Sequence, residues 1–482
     1  MKEIKGIKHI KESFGTKQVR YGGYAALITL AVIAGLILLN LIIGQFSPQV
    51  DMTANRLFSL SEQSLQVVDQ IKAPVNIYGL WQPGQENTEV TEVIDLYLAR
   101  NGNFHFQTID PDKNPGFLVK YDKDKKGISR GSVIVEGAKG FRVIGPSDMY
   151  DYTATQSGGY NRTGVAIERR FTSALLFVGT GETPVVYEIS GHDEVPLANL
   201  AMQDTVEREN YSLKSLNLIT SDVPNDASAL ILNAPKSDIS RAEADRILKY
   251  LDGGGRLLVL ADYRVRDLSM LNEVLASYGV RLDYGIIIEN DSSYTAGQIF
   301  MEVPDFIEHD ITKPLTEKDS PVVLPYSMGI SELSTKRRTV KLYPLMVSSR
   351  NSWLRTDLNE GSVVRIASDI PGPVTIGMAV MDPEYIQGSE KQVRIAVIAS
   401  GSLLEPINVF QQIPGNLDLF MNSLTWLEDR PEALSVRSKS LFLLPLRLNG
   451  LQMIIFGGIF ILIIPLGFFV SGLVTWLKRR HL

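Results

Sequence analysis

Two uninterrupted apolar stretches frame the chain. Tyr21–Phe46 holds 26 residues without a charge and Asn449–Leu477 holds 29. At 1.5 Å per residue the first would extend ~39 Å, enough to cross a hydrocarbon core of about 30 Å with some tilt. A cleaved signal peptide has an apolar core of only about 7–15 residues before a small-residue cleavage site. This stretch is longer and exits through Gln45-Phe46-Ser47-Pro48, so it reads as a retained anchor. The second stretch contains Pro465, which predicts a kinked helix whose freed backbone groups a neighbouring helix satisfies.

Between the two stretches the periodicity changes to that of a folded domain. Ser59 and Glu62 have capping-box spacing, and Leu65, Val68 and Ile71 share one helical face before Pro74. Val75–Leu80 reads as a strand, Glu89–Arg100 as a helix with Val90, Val93, Ile94 and Leu98 inward, and Phe104–Ile109 as a second strand. This is a parallel crossover unit. Ser132–Glu136 and Phe141–Ile144 read as a hairpin closing a small α/β, thioredoxin-like domain over residues 47–180.

A second α/β rhythm begins at Pro184. Val185–Ile189, Ala229–Ala234, Arg256–Asp262 and Val393–Ser400 are apolar strand candidates. Helices are expected over Leu197–Glu209, from the Ser240/Glu243 capping box to Leu251, over Leu268–Tyr278 and over Asn416–Trp426. The alternation predicts a doubly wound, flavodoxin-like, mostly parallel sheet over residues 181–435, with a β-rich insertion at about 285–390 where the pattern breaks into short runs between Pro and Gly. Residues 436–448 form a linker.

Hydrophobic residues make up 44% of the chain and charged residues 21%, ordinary for a soluble protein, so membrane character is confined to the two stretches. Residues 1–20 carry +4 and the tail 478–482 carries +3; both basic ends fall on the cytoplasmic side by the positive-inside rule. The whole chain carries −6, so residues 21–477 carry −13, an acidic balance that does not grip nucleic acid. No cysteine exists, which removes disulfides, thiolate nucleophiles and cysteine-ligated metals. The five histidines, His9, His105, His192, His309 and His481, are scattered too widely for a histidine-built zinc site.

Four motifs carry candidate chemistry. Gly127-Ile128-Ser129-Arg130-Gly131 matches the serine-hydrolase elbow, but a charged run precedes it and a strand follows, the reverse of what an elbow needs. Asp110, Asp112 and Asn114 open like a calcium loop, yet Pro115 stands at the glycine position and no glutamate closes it. Gly253-Gly254-Gly255 ends a helix and opens a strand, opposite to a phosphate loop. No Walker sequence is present, so the chain is not itself an ATPase, and no motif calls for a cofactor. Gly191-His192-Asp193-Glu194 sits at the carboxyl end of an expected strand, where α/β proteins place their sites. His192 beside two carboxylates offers a base, although no nucleophile partners it; ligand contact, partner contact and a structural loop are the competing readings.

Asp51-Met52-Thr53 with Phe58-Ser59-Leu60-Ser61, the 191–194 loop, the block from Asn233 to Asp262, the run Arg394–Leu404, Gly415–Leu427 and a closing apolar helix ending Lys478-Arg479-Arg480 occur together in this order. In this the chain resembles the GldG-type auxiliary subunits of ABC transporters, a family first named from gliding motility. The resemblance spans nearly the whole chain. It implies a bacterial plasma-membrane protein with a permease partner, a separate cytoplasmic ATPase and an extracytoplasmic domain related to class I glutamine amidotransferases. Those enzymes use a cysteine nucleophile, which this chain lacks. The family loop more often reads Gly-His-Gly-Glu, and Asp193 stands at its second glycine. ABC transporters have paired halves, so two copies per complex are compatible with the resemblance. The leading expectation is a non-catalytic transporter subunit; the alternatives are an envelope hydrolase using the 191–194 loop and a surface scaffold or sensor.

Overall fold

The computed structural model describes residues 17–46 and 59–480 apart from 123–126, 155–158, 201, 318–319, 384, 387–388, 391, 406–412, 430–438, 441–454 and 456. The Asp51-Met52-Thr53 motif, Phe58, most of the linker and the start of the second apolar stretch lie outside the described residues. Met1–Leu57 is one compact unit and Phe58–Leu482 the other.

In the first unit helix α1 spans Lys17–Phe46. Within it Leu27–Leu39 is an apolar run shorter than a full crossing. Among the described residues one helix, Ile459–Leu477 in the second unit, is long and apolar enough to span a membrane. Its first turns, Ile459–Ile463, are π-helical. Pro465 has no N–H to offer Ile461, and a widened turn immediately upstream accommodates its ring.

The second unit opens with α2 (Glu62–Gln70), which buries Val67 and Val68. The Ser59/Glu62 box does not form. Ser61 is the N-cap, its hydroxyl accepting from Ser64 N at 3.3 Å. The carboxylate that a box would draw from Glu62 comes instead from Glu168, which accepts from Ser61 N and Ser64 Oγ, both at 2.6 Å. Strand β1 (Val75–Gly79), helix α3 (Thr88–Arg100) and strand β2 (Phe104–Thr108) follow as expected, with β1 and β2 parallel. The hairpin β3 (Val133–Gly137) and β4 (Gly140–Ile144) completes a sheet of order β2-β1-β3-β4, in which β3 lies antiparallel to β1. A further hairpin, β5 (Tyr150–Ala154) and β6 (Tyr160–Val165), leads into α4 (Ile167–Thr180), which packs on β3 and β4 and buries Phe171, Leu175 and Val178. At Gly137 a Cβ would lie 2.9 Å from Val178 Cβ, so the helix sits directly on the strand only because that position is glycine.

The larger sheet has ten strands. Strand β7 (Val185–Ile189) is followed by α5 (Met202–Arg208), β8 (Ser212–Leu216), β9 (Ala227–Asn233), α6 (Arg241–Asp252), β10 (Arg256–Leu260) and α7 (Ser269–Ala276). Then come β11 (Val280–Asp283), β12 (Ile286–Ile288), β13 (Met301–Glu302), β14 (Asp305–Phe306), β15 (Leu324–Pro325), β16 (Gly329–Glu332), β17 (Lys341–Val347), β18 (Trp353–Arg355), β19 (Ile370–Pro371) and β20 (Thr375–Asp382). Strand β21 (Val393–Ile398), helix α8 (Pro414–Leu427), strand β22 (Lys439–Ser440) and helix α9 (Ile464–Arg480) complete the chain.

Five neighbouring strands, in order β8-β7-β9-β10-β21, are parallel. The rest of the sheet is antiparallel: β20 pairs β21 from Gly377↔Ile398 to Asp382↔Val393, and β16 and β17 pair β20. This revises the expectation of a mostly parallel sheet. The region 285–390 gives β14, β16, β17 and β20 to the main sheet, and only small sheets such as β12-β18-β19 stand off it. The physical reason is burial. Ile376, Met378, Ala379 and Val380 are all inaccessible, and they pack in the same core as Leu257–Leu260 and Ile395–Ile398.

Candidate functional site

Parallel strands end their backbones at one edge, and the loops leaving that edge carry the candidate residues. The chain moves from β7 outward to β8 and then returns past β7 to β9, so the order reverses between β7 and β9. Ligands of open α/β sheets bind outside such a reversal. The Gly191-His192-Asp193-Glu194 loop leaves β7 at this point, and Asn233-Ala234-Pro235-Lys236 leaves β9 beside it.

His192 is buried, with 4% of its side chain exposed, and both ring nitrogens face carboxylates. Nδ1 lies 2.9 Å from Glu194 Oε1 and Nε2 lies 3.2 Å from Glu243 Oε2. Glu194 turns back on its own loop, accepting from His192 N at 2.8 Å and Gly191 N at 3.2 Å. Glu243 is the capping-box residue of α6, accepting from Ser240 N at 2.8 Å and Ser240 Oγ at 2.7 Å. His192 O accepts from Lys236 N at 2.8 Å, which ties the β7 and β9 loops together.

The hydrogen bond to Glu194 raises His192 to about 9; burial opposes this and Glu243 adds to it. Burial alone would raise both glutamates, yet each is held below its usual value, Glu194 by its bonds from His192 and the loop backbone and Glu243 by Ser240 and His192. The centre is an imidazolium locked between two carboxylates. A charged ring with both nitrogens engaged has no lone pair with which to take a proton. The nearest hydroxyl in sequence, that of Ser190, is bonded by Ser215 at 3.1 Å and not by the histidine.

Asp193 has φ 57°, in the left-handed region, and its side chain is exposed. The position therefore demands a backbone conformation that glycine adopts freely and aspartate tolerates. Gly191 has φ 129°, so both ends of the His192 turn need a residue able to occupy positive φ. The glycine usual at position 193 in the resembled family is accounted for by this conformation.

One strand further along the edge lies a second charged group that no motif in the sequence marked. Asp262, 1% exposed at the end of β10, meets Lys236 Nζ at 3.3 Å and accepts from Arg264 Nε at 2.7–2.8 Å, and Arg264 reaches Glu405 at 2.9 Å. The signal was the acidic residue closing the apolar run Arg256–Asp262. Gly401, leaving β21, lets these loops close: a Cβ there would lie 2.9 Å from Asp262 Cβ and 3.0 Å from Ala234 Cβ.

The other motifs behave as turns. Residues 127–131 lead into β3 with Ser132 N donating to Ser129 O. Asp110 accepts from Asp112 N at 3.1 Å, and Asp112 pairs with Arg130. Among the described residues no group of three or more His, Asp or Glu is placed to hold a metal.

A mixed α/β protein with a large sheet, a locked switch-point loop and an apolar helix long enough to cross a membrane is thus defined. Residues 183–423, half of the chain, match the family described as ABC-type uncharacterized transport system, and the chain belongs to this family of ABC-transporter auxiliary proteins. Residues 54–145 match a domain of unknown function, DUF7088. No curated protein matches the sequence. Among solved structures the chain is similar to the mmIFT52 N-terminal domain, at 14% identity and TM-score 0.37 over 50% of this chain and 97% of that one. It is also similar to a mutant of the alkylhydroperoxide reductase AhpF of Enterococcus faecalis (V583), at 10% identity and TM-score 0.19 over 33% of this chain and 78% of that one. Neither likeness bears on function.

Proposed function

We propose that the chain is a non-catalytic, GldG-like auxiliary subunit of an ABC transporter. Two membrane helices, residues 21–46 and 449–477, dock on a permease whose ATPase is a separate cytoplasmic chain. Both termini are cytoplasmic and residues 47–435 lie outside the bacterial plasma membrane, where they contact a transported substrate or an envelope partner. The family match over residues 183–423 carries this reading. The β8-β7-β9-β10-β21 order supports a flavodoxin-like core related to class I glutamine amidotransferases, with residues 181–435 as one domain. The β2-β1-β3-β4 order followed by α4 supports a thioredoxin-like domain over residues 47–180.

The locked state of His192 supports the non-catalytic reading over an envelope hydrolase, because a hydrolase base must be free to accept a proton. Gly191, His192, Asp193 and Glu194 instead shape the contact edge. The test is purification of the tagged chain from native membranes in mild detergent, with mass spectrometry of what accompanies it. A polytopic permease and an ATPase in fixed ratio are expected. Recovery of the chain alone, or with envelope enzymes, would sink the transporter reading.

A further inference from the structure

The opposite edge of the large sheet, where β9, β10 and β21 begin, holds an open cleft of about 1160 Å³. Its wall presents Arg246 and Lys249 from α6, Arg256 at the start of β10 and Arg394 on β21, against Asp222 and Asp429. This is a basic surface within a stretch, residues 21–477, that carries −13 overall.

Part of that basic lining has a structural task. Helices α6 and α8 both end here, and carbonyl ends favour cations. Arg394 donates to Trp426 O of α8 and, through Nε and Nη2, to Gln392 Oε1 at 3.1 and 2.8 Å, and Arg246 donates to Leu218 O at 2.6 Å. Arg256 is anchored by Glu428 at 3.3 Å, a carboxylate only 6% exposed. More cationic capacity remains than these tasks use. Lys249 is exposed and has no partner among the described residues. Arg256 is 30% exposed and meets Glu428 through Nη1. The carboxylates that answer Arg246 and Arg394 are Asp222, 75% exposed, and Asp429, 64% exposed. Ion pairs to such solvated carboxylates are worth little, so an incoming anion can displace them.

The floor is Gly253-Gly254-Gly255, and its amides are spent. Gly253 N donates to Tyr250 O, Gly254 N to Leu251 O, and Gly255 N to both. Anion recognition here therefore falls to side chains, and guanidinium groups offer the forked donors that phosphate oxygens fit.

We propose that this cleft binds a phosphate-bearing anion through Arg246, Lys249, Arg256 and Arg394, with Asp222 and Asp429 as displaceable internal competitors. The inference stands apart from the transporter reading, because it rests on the cleft alone. The phosphate belongs either to a soluble ligand or to a lipid headgroup.

The test uses the full chain in lipid nanodiscs, reading hydrogen-exchange protection of residues 246–256 and calorimetric titration with inorganic pyrophosphate. In phosphatidylcholine discs, saturable pyrophosphate binding that protects this segment identifies a soluble source. Protection in phosphatidylglycerol discs without added anion identifies a headgroup source. In whichever arm responds, Lys249→Glu is expected to weaken binding about tenfold, and Asp222→Asn to tighten it severalfold. Both positions are exposed, and an unchanged melting temperature confirms that the variants fold. Absence of protection in both arms, or variants that bind like the parent chain, would overturn the proposal.

Discussion

His192 Nε2 lies 3.2 Å from Glu243 Oε2 across 51 residues of sequence. That contact joins the loop leaving β7 to the first turn of α6, and the same carboxylate oxygen caps the helix. One glutamate thus fixes a helix start and a loop at once. The β7–β9 crevice is stapled by a charged triad of His192, Glu194 and Glu243.

Replacing His192 with alanine leaves two buried carboxylates facing each other, and we expect a loss on the order of 3 kcal/mol, the usual cost of breaking a buried pair. The same triad sets a pH window. The folded pKa of His192 is raised to about 9, so the stability it contributes is fully present below its unfolded value near 6.5. That contribution fades as pH rises through about 9. Chemical denaturation of the full chain between pH 6 and 10 should show this decline, and the alanine variant should lack it. A parent chain with a flat profile would contradict the assignment of an imidazolium.

Asp193 sits at φ 57° with an exposed side chain. Asp193→Gly should therefore be neutral or stabilising by up to about 1 kcal/mol, whereas Asp193→Val should destabilise by about 1–2 kcal/mol, since a β-branched residue resists positive φ. Thermal melts of the two variants decide it. If valine is tolerated as well as glycine, the conformational account of this position fails.

Glu302 presents the opposite pH case. It is fully buried on β13, its two carboxyl oxygens have no hydrogen-bond partner among the described residues, and burial together with the nearby Glu289 pushes it up to about 9. Below its unfolded value near 4.5 the group is protonated in both states, and its ionisation takes nothing from stability. As pH rises towards 9 the unfolded chain ionises while the folded chain holds its proton, and stability drains away. Glu302→Gln keeps the shape without this liability. It should gain on the order of 2 kcal/mol at neutral pH and little at pH 4. An unaltered neutral stability would show that the carboxyl has a compensating partner.

The local grammar of the sequence is reliable where it is self-contained. The Ser240/Glu243 capping box, the β7 boundaries and the β3–β4 hairpin need only neighbouring residues, and all form. What fails depends on partners far away. The N-cap is Ser61 and not Ser59, and the carboxylate that serves it is Glu168, on a helix that the apolar pattern does not announce. Strand β20 joins the main sheet because β21 offers an apolar edge, a pairing that no short-range pattern encodes. The 191–194 loop stands out for its chemistry, yet the residue that closes the triad from outside the loop, Glu243, shows in the sequence only as a helix cap. Spacing along a chain of 482 residues cannot show that two such roles meet in one carboxylate.

Strand β22 returns to β6 through Lys439↔Val165 and Ser440↔Gly164. The chain therefore departs for the large sheet through α4 and comes back to two of the residues just before that helix. Side-chain bonds reinforce that return: Asn210, just before β8, donates to Ser173 O of α4 at 2.7 Å, and Arg170 of α4 pairs with Glu209 at 2.9 Å. A pull on the large sheet is therefore shared between this two-residue ladder and the polar bonds around α4, so mechanical slack in the protein is metered at that seam.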